Sequence, residues 1–299
     1  KAQLDEELAV LGGSLNTSSG SAWASSLTGN FDRLFAILSD VVLHPAFRDS
    51  ELVKLKKQTL SALDAQKDDP DAISDNVVSV VNFGKDYPYG EVVTDSTVSR
   101  VGVSDLRRYY QTYWKPNICY MAFVGDITTA HARELVKRYL STWKPGVVPE
   151  RKYPVPSKPS SVLVTVVDRP AAVQTNIHVT DPVVLKPGNP ENFPVSVMNH
   201  ILGGGPASWL FQDLREKHAF TYGAYSSISN DPLVGSFSAS ASVRTPVTDS
   251  AIARFLYELR RIGTEKVDQL VLDSAKNEIY GNFALALENP GLIARFALD

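Results

Sequence analysis

The segment FDRLFAILSDVV, residues 31–42, has a helical spacing of apolar side chains that returns in IARFLYELRRIG, residues 252–263. In both places a break and a long helical pattern follow, and this pattern closes on Asp-Pro at 69–70 and on Asn-Pro at 289–290. From Phe31 to Pro70 is 39 positions and from Ile252 to Pro290 is 38, so the two copies also share their length. Such an internal repeat predicts two homologous domains built on one unit.

Strands are predicted beside these helical segments. In the first copy, two short strands are predicted within 13–27, and CYMAFV at 119–124 predicts a buried one. In the second copy, a long helix is predicted at 193–202. The strands predicted in this copy are 161–168, 174–180, 224–229 and 236–243. The predicted fold class is therefore α+β, with an antiparallel sheet packed against helices in each domain.

A proline-rich segment separates the two copies. Prolines interrupt KPGVVPERKYPVPSKPSS, residues 144–161, so often that neither a helix nor an interior strand can continue through it. We therefore predict a first domain over 1–146, a linker over 147–160 and a second domain over 161–299. Helical patterns are already under way at Lys1 and still running at Asp299, so we expect the chain to continue beyond both ends.

The composition argues against several classes of protein. Hydrophobic residues make up 43% and charged residues 21%, and no apolar run approaches the roughly 20 residues that cross a bilayer, so we expect a soluble globular protein without a membrane role. The net charge of −3 offers no basic surface for nucleic acid. With Cys119 alone, neither an internal disulfide nor a thiolate zinc cluster can form. Cysteine usage does not decide between the periplasm and the cytoplasm as the compartment of this protein, and we slightly favour the periplasm.

Six segments together resemble successive landmarks of the insulinase/pitrilysin-like metallopeptidases, also called inverzincins. They are LGGSLNTSSG (11–20), DVVLHPAF (40–47), DDP (68–70), YPYG (87–90), YYQTYWKPNICYMAFVGDI (109–127) and LREKHAFTYGAYSS (214–227). The resemblance covers nearly the whole chain and implies two homologous α/β-roll domains that form one half of a clamshell. It also implies that a catalytic half carries an H-x-x-E-H motif and a distal glutamate on zinc, while a degenerate half carries neither.

In the family pattern the H-x-x-E-H motif falls just upstream of Lys1, so the distal glutamate is the ligand expected inside this chain. None of the five histidines has a second histidine four residues away. Counting from the shared His-Pro at 44–45 places the distal ligand position at Ala62, whose methyl group cannot coordinate zinc. Glu51 lies about three turns earlier, and Asp64 points about 200° around the helix. The resemblance thus implies the degenerate half, with no metal or cofactor in this chain and zinc in a catalytic half.

Arg215 and Tyr222 form the most specific candidate site. In the family that this chain resembles, an Arg and a Tyr at this separation hold the peptide on the leaving-group side of the scissile bond. Arg supplies a rigid fork of donors and Tyr a hydroxyl on a rigid ring, so the pair can orient a peptide without bond chemistry. The alternative is a surface charge at Arg215 and half-buried packing at Tyr222.

A second candidate site is the predicted strand SLNTS, residues 14–18. The resemblance implies that its edge, with Ser14, Leu15, Asn16 and Thr17, pairs with a peptide backbone by β-augmentation. Because this strand lies in the metal-free half, a purely structural edge strand is the favoured alternative.

Three further motifs are interpreted as structural. The run Gly-Gly-Gly-Pro at 203–206 lacks the Lys-Ser/Thr of a phosphate loop and predicts a helix-ending turn or hinge. The aromatic residues within 109–114 have helical spacing and predict core packing. Asp68 and Asp69, two carboxylates before Pro70, predict the C-terminal turn of a helix rather than a metal site.

Together these observations predict the non-catalytic half of a zinc metalloendopeptidase, which encloses and positions peptide substrate. Its expected partners are a zinc-bearing half, fused or separate, and unstructured peptides, and the chain alone is expected to be inactive. The alternative is a scaffold or peptide-binding member of the family with no role in proteolysis. A self-sufficient serine hydrolase is disfavoured, because no G-x-S-x-G motif occurs and no His is placed to pair with a Ser.

Overall fold

Helices and short antiparallel sheets make up the computed structural model, which describes residues 2–156 and 160–298. The helices are α1 (Ala2–Val10), α2 (Phe31–Leu43), α3 (Asp49–Gln66), α4 (Pro70–Phe83), α5 (Asp95–Arg100), α6 (Val103–Tyr113), α7 (Thr129–Leu140), α8 (Asn192–Gly203), α9 (Trp209–Phe211), α10 (Thr248–Thr264), α11 (Gln269–Ala286) and α12 (Pro290–Leu298). The strands are β1 (Ser14–Thr17), β2 (Ala22–Ser25), β3 (Gln174–Val183), β4 (Thr221–Ile228) and β5 (Gly235–Arg244). The predicted α+β class is confirmed.

The described residues pack into two compact units. The first unit contains the residues up to Thr59, the range 96–151 and the residues from Phe283 onward. The second unit contains 60–95 and the described residues of 152–282. The division of the sequence at a linker over 147–160 stays a prediction, and residues 157–159 of that segment lie outside the described residues.

In the first unit, β1 and β2 form an antiparallel hairpin, as the alternation within 13–27 predicts. Helix α2 buries Leu34, Phe35 and Ile37. The ring centroid of Phe35 lies 5.6 Å from that of Phe123, so aromatic packing joins α2 to the segment that precedes α7.

The core of the second unit lies between a sheet of order β3-β5-β4 and helices α8 and α10. The central strand β5 reads GSFSASASVR, and its alternate residues Ala239, Ala241 and Val243 face the core. Phe255 of α10 is fully buried in that core. Small side chains along β5 let the helices approach the sheet closely, which explains why a weakly hydrophobic strand occupies the centre.

The internal repeat is visible in the helices. Helices α3 and α11 both have 18 residues, and each is followed by a short turn and a helix whose first residue is proline. Asp69 is the N-cap of α4, and its Oδ1 accepts the N–H of Asp71 at 2.9 Å. In the second copy, Asn289 Oδ1 accepts the N–H of Gly291 at 2.9 Å. Asp68 and Asp69 lie in the turn that ends α3, as predicted, with the N–H of Asp69 donating to the carbonyl of Gln66 at 3.2 Å, and the carboxylate of Asp69 also caps the following helix.

Two predicted strands do not form. Residues 119–124 and 161–168 have no strand conformation, and no strand of the described part pairs with them. Tyr120 is 82% exposed and Val162 is 91% exposed, so both segments leave apolar side chains in solvent. An apolar sequence favours a strand only where a neighbouring strand accepts its backbone hydrogen bonds, and here none is present among the described residues.

Two smaller expectations have different outcomes. Helix α8 ends at Gly203, and the N–H of Gly204 donates to the carbonyl of His200, so the glycine run ends a helix as predicted.

The aromatic residues within 109–114 are not all core residues. The hydroxyl of Tyr110 donates to the carbonyl of Val42 at 2.7 Å, whereas Tyr109 is 44% exposed and its ring lies against that of Tyr113. Among the described residues, no helix is long and apolar enough to cross a membrane.

Candidate functional site

Arg215 lies on an irregular helical segment of the second unit. Helix α9 continues directly into a π-helix over Gln212–Lys217, in which the N–H of His218 donates to the carbonyl of Asp213, five residues back. The Arg215 guanidinium lies over the ring of Phe211, with Cζ 4.7 Å from the ring centroid. The Arg215 side chain is nevertheless 45% exposed. One face of the guanidinium is therefore held by a cation–π contact, its Nε lies 3.6 Å from Glu216 Oε1, and nearly half of the side chain stays accessible to a ligand.

Tyr222 lies at the start of β4, next to an irregularity in the sheet. The pairing of β4 with β5 shifts between Thr221 and Ala224. The Thr221 hydroxyl donates to the carbonyl of Ser242 at 2.7 Å and accepts the N–H of Gly223 at 3.2 Å. Tyr222 is 88% exposed, because this bulge turns it away from the core into which Ala224 packs. The half-buried alternative for Tyr222 is therefore wrong.

Tyr225 connects these two elements. Its ring lies 5.8 Å from the ring of Phe211 and is itself 48% exposed. A Cβ atom on Gly223 would lie 2.7 Å from the Tyr225 ring, so glycine leaves room for the ring at this place. Arg215, Phe211 and Tyr225 thus form a continuous row of contacts that starts on the π-helix and ends on the strand of Tyr222.

We call Arg215 and Tyr225, which both contact Phe211, together with the exposed Tyr222 of the same strand, the arginine–tyrosine surface. Its groups are a cation with several N–H donors, two hydroxyls and aromatic faces. Such groups can bind a peptide carbonyl or carboxylate and an apolar side chain. They include neither a nucleophile paired with a base nor a set of metal ligands.

Buried charged residues hold the π-helix that carries Arg215 against α10. Asp213, with 6% of its side chain exposed, accepts two hydrogen bonds from Arg254 of α10, from Nε at 2.5 Å and from Nη2 at 2.9 Å. These hydrogen bonds raise the pKa of the Arg254 guanidinium above its ordinary value, so this side chain keeps its charge. Sequence analysis misses this pair because its members are 41 positions apart.

A second buried carboxylate continues the network along α10. Glu258 is 3% exposed and accepts a hydrogen bond from Arg261 Nη1 at 3.2 Å, while Arg254 Nη2 lies 3.8 Å away. Burial raises the pKa of the Glu258 carboxyl, and the charge of Arg261 opposes that shift. Arg261 also lies over the ring of Trp209, with Cζ 3.9 Å from the centroid. Helix α10 thus contacts the segment 209–213 through two arginines.

The other predicted binding element lies in the first unit. Strand β1 pairs with β2, with Ser14 opposite Ser25 and Thr17 opposite Ala22. No further strand of the described part pairs with its other edge. Ser14, Asn16 and Thr17 are exposed and Leu15 is partly buried. The strand offers a free edge, and its use in peptide binding stays a prediction.

The position assigned to the lost metal ligand lies on α3, where Ala62 is exposed. In the part of the chain that the structure describes, no group of three or more His, Cys, Asp or Glu side chains could hold a metal ion. His44, His131, His200 and His218 instead each lie near a carboxylate of the chain. The residues present therefore do not fit a zinc site within the described ranges.

Solved peptidase structures share this fold. The peptidase M16 inactive domain from Pseudomonas fluorescens aligns over 94% of this chain and 69% of its own, with a TM-score of 0.82 and 20% identity. The periplasmic protease PqqL from Escherichia coli aligns over 98% of this chain and 33% of its own, with a TM-score of 0.78 and 13% identity. These alignments define the structural class, which is the α+β lobe found in such peptidases.

The sequence then identifies the family. Residues 100–279 match the peptidase M16 inactive domain, and the chain belongs to that family. The uncharacterized zinc protease YmxG of Bacillus subtilis is 23% identical over 257 residues, which are 85% of this chain and 61% of the relative. This chain thus spans about three fifths of that relative's length. The resemblance to insulinase/pitrilysin-like metallopeptidases is confirmed.

Proposed function

We propose that this chain is the non-catalytic half of a zinc metalloendopeptidase and that it encloses and orients a peptide for a zinc-bearing half. The observation that carries the proposal is the arginine–tyrosine surface. Arg215 and Tyr222 present a guanidinium and a hydroxyl to solvent from a base of buried ion pairs, and the described residues offer no set of metal ligands beside them. Groups arranged in this way bind and orient, and the bond chemistry belongs to the partner.

The zinc-bearing half supplies the Lewis acid and the activated water in this proposal. It is either fused to this chain or a separate subunit, and the substrates are unstructured peptides. Arg215 holds a peptide carbonyl or carboxylate, and Tyr222 adds a hydrogen bond close by. The free edge of β1, with Ser14, Leu15, Asn16 and Thr17, is a second proposed contact with the peptide backbone.

Activity measurements with a fluorogenic unstructured peptide test whether this chain binds the peptide while the zinc-bearing half cleaves it. We expect no turnover by this chain alone and chelator-sensitive turnover after the zinc-bearing half is added. Turnover by the isolated chain that a chelator abolishes would overturn the proposal, because it would place a working metal site here.

Substitutions in the complete assembly test the surface. Arg215→Ala and Tyr222→Phe are expected to lower kcat/KM about ten- to a hundredfold, the usual effect of losing a hydrogen bond with a charged or reacting partner. Arg260→Ala and Tyr280→Phe are matched controls, because both residues are exposed elsewhere in the same unit. Unchanged turnover in the Arg215 and Tyr222 variants would favour a scaffold instead.

A further inference from the structure

The need to fill the core does not by itself explain the buried ion pair between Asp213 and Arg254. A buried ion pair is an inefficient way to stabilise a core, because the desolvation of both charges offsets most of their attraction. Its geometric requirement is strict, however, since both carboxylate oxygens receive a hydrogen bond from one planar guanidinium. Such a pair defines the position and rotation of the backbone that carries it.

The backbone that carries Asp213 also carries Arg215. Both residues belong to the π-helix Gln212–Lys217, and such turns are rare and often occur at functional sites. The extra residue in this turn changes the direction in which the following side chains project. Leu214, between the two, is fully buried and cannot adjust freely. The direction of Arg215 therefore depends on where Arg254 holds Asp213.

We propose that Asp213 and Arg254 are positioning residues that orient the Arg215 guanidinium over Phe211 for peptide binding. The proposal rests on the proposed function as far as the peptide is concerned. We assign neither residue a contact with substrate, because Asp213 is buried and the Arg254 guanidinium faces it. His218 Nε2 also lies near this carboxylate, 3.5 Å from Asp213 Oδ1.

Conservative variants separate positioning from general stability. Arg254→Lys keeps the charge but removes the two-pronged donor, and Asp213→Asn keeps the shape but removes the charge. In the complete assembly we expect each to raise KM for an unstructured fluorogenic peptide about tenfold and to change kcat less than about twofold. Arg138→Lys is the control, because Arg138 Nη2 also donates to a carboxylate, that of Glu134 at 2.7 Å, but lies on α7 in the first unit. It should leave KM within about twofold even where it lowers the urea midpoint.

A double-mutant comparison identifies Arg215 as the target. On an Arg215→Ala background, Arg254→Lys should raise KM no further, because the group that it positions is already gone. An equal rise on both backgrounds would overturn the proposal, and so would an unchanged KM in Arg254→Lys where Arg215→Ala raises it. Asp213→Asn provides the same comparison if Arg254→Lys does not fold.

A spectroscopic measurement tests the positioning without any peptide. In the full chain, the Nε–H signal of Arg215 should show the ring-current shift of a group above Phe211, and Arg254→Lys and Asp213→Asn should move it toward a free arginine value. An unmoved signal in both variants would refute the positioning. If the signal moves but Arg215→Ala leaves turnover unchanged, the proposed function fails while the positioning stands.

Discussion

The hydroxyl of Tyr89 donates a hydrogen bond to Asp231 Oδ1 at 2.7 Å, although the two residues are 142 positions apart. The same oxygen accepts the N–H of Leu233 at 2.7 Å, so Asp231 also orders the turn between β4 and β5. Tyr89 belongs to the YPYG motif at 87–90. A Cβ on Gly90 would lie 2.0 Å from the carbonyl oxygen of Gly84, so a glycine is needed where this corner doubles back. The YPYG motif therefore forms a tight turn that is hydrogen-bonded to the connection between β4 and β5.

Replacing Tyr89 should make stability less dependent on alkaline pH. Burial, together with the hydrogen bond to Asp231, raises the pKa of Tyr89 from 10.0 to about 12. The folded pKa is above the unfolded one, so the stabilisation is fully present below pH 10 and is lost as the pH rises toward about 12. Tyr89→Phe should cost about 1 kcal/mol at pH 7 and should flatten the decline between pH 10 and 12, as measured by urea unfolding.

Tyr87 provides the matched control for Tyr89. Its hydroxyl is buried without a hydrogen-bond partner among the described residues. Tyr87→Phe should therefore leave the free energy of unfolding at pH 7 unchanged or slightly increased, because it removes an unsatisfied polar group. A larger loss in Tyr87→Phe than in Tyr89→Phe would contradict this assignment of the two hydroxyls.

Within the glycine run at 203–205, the first position should tolerate alanine least. A Cβ on Gly203 would lie 2.2 Å from the backbone N of Ser226, which cannot move without shifting β4. Gly203→Ala should lower the free energy of unfolding by about 2 to 3 kcal/mol despite the better helix propensity of alanine. Gly205→Ala, where nothing lies within 4 Å, should change it by less than about 0.5 kcal/mol. Equal effects in urea unfolding would refute the close approach of α8 to β4.

Helices follow from the sequence more reliably than strands do in this chain. A helix satisfies its backbone from within, so the apolar spacing in 31–42 and 252–263 is enough to predict α2 and α10. A strand needs a second strand, and the apolar pattern of 119–124 carries no information on whether one lies beside it. Both segments that fail as strands fail for this reason.

The candidate site is predictable only in part, for a related reason. The spacing of Arg215 and Tyr222 is a local signal, and so is Phe211, which lies four residues before Arg215 on a helix. The partner of Asp213 is on another helix, and nothing near Asp213 in the sequence indicates Arg254. Candidate ligand-binding residues are thus easier to find in the sequence than the residues that support them.

Replacing Ala219 by glycine should increase the free energy of unfolding. Ala219 follows the π-helix and has a φ of 51°, in the left-handed region that costs a residue with a Cβ about 1 kcal/mol or more. Ala219→Gly relieves that strain but increases the freedom of the unfolded chain, so we expect a net gain of about 0.5 kcal/mol. The same exchange at Ala253, exposed within α10, should cost about 1 kcal/mol. Urea unfolding of both variants checks the opposite signs, and a loss at both positions would refute the strain at Ala219.

The apolar segment at 162–167 should accept charge without loss of stability. Val164 is 77% exposed and Val166 is 80% exposed, and exposed positions of this kind rarely contribute more than about 0.5 kcal/mol. The double variant Val164→Glu, Val166→Glu should therefore keep the free energy of unfolding and reduce light scattering at high concentration, because it breaks up an exposed apolar run. Val243→Glu is the control, since Val243 is fully buried in the sheet and a charge there should prevent folding or cost several kcal/mol. A loss above about 2 kcal/mol in the double variant would show that these valines are packed, as the strand predicted over 161–168 would require.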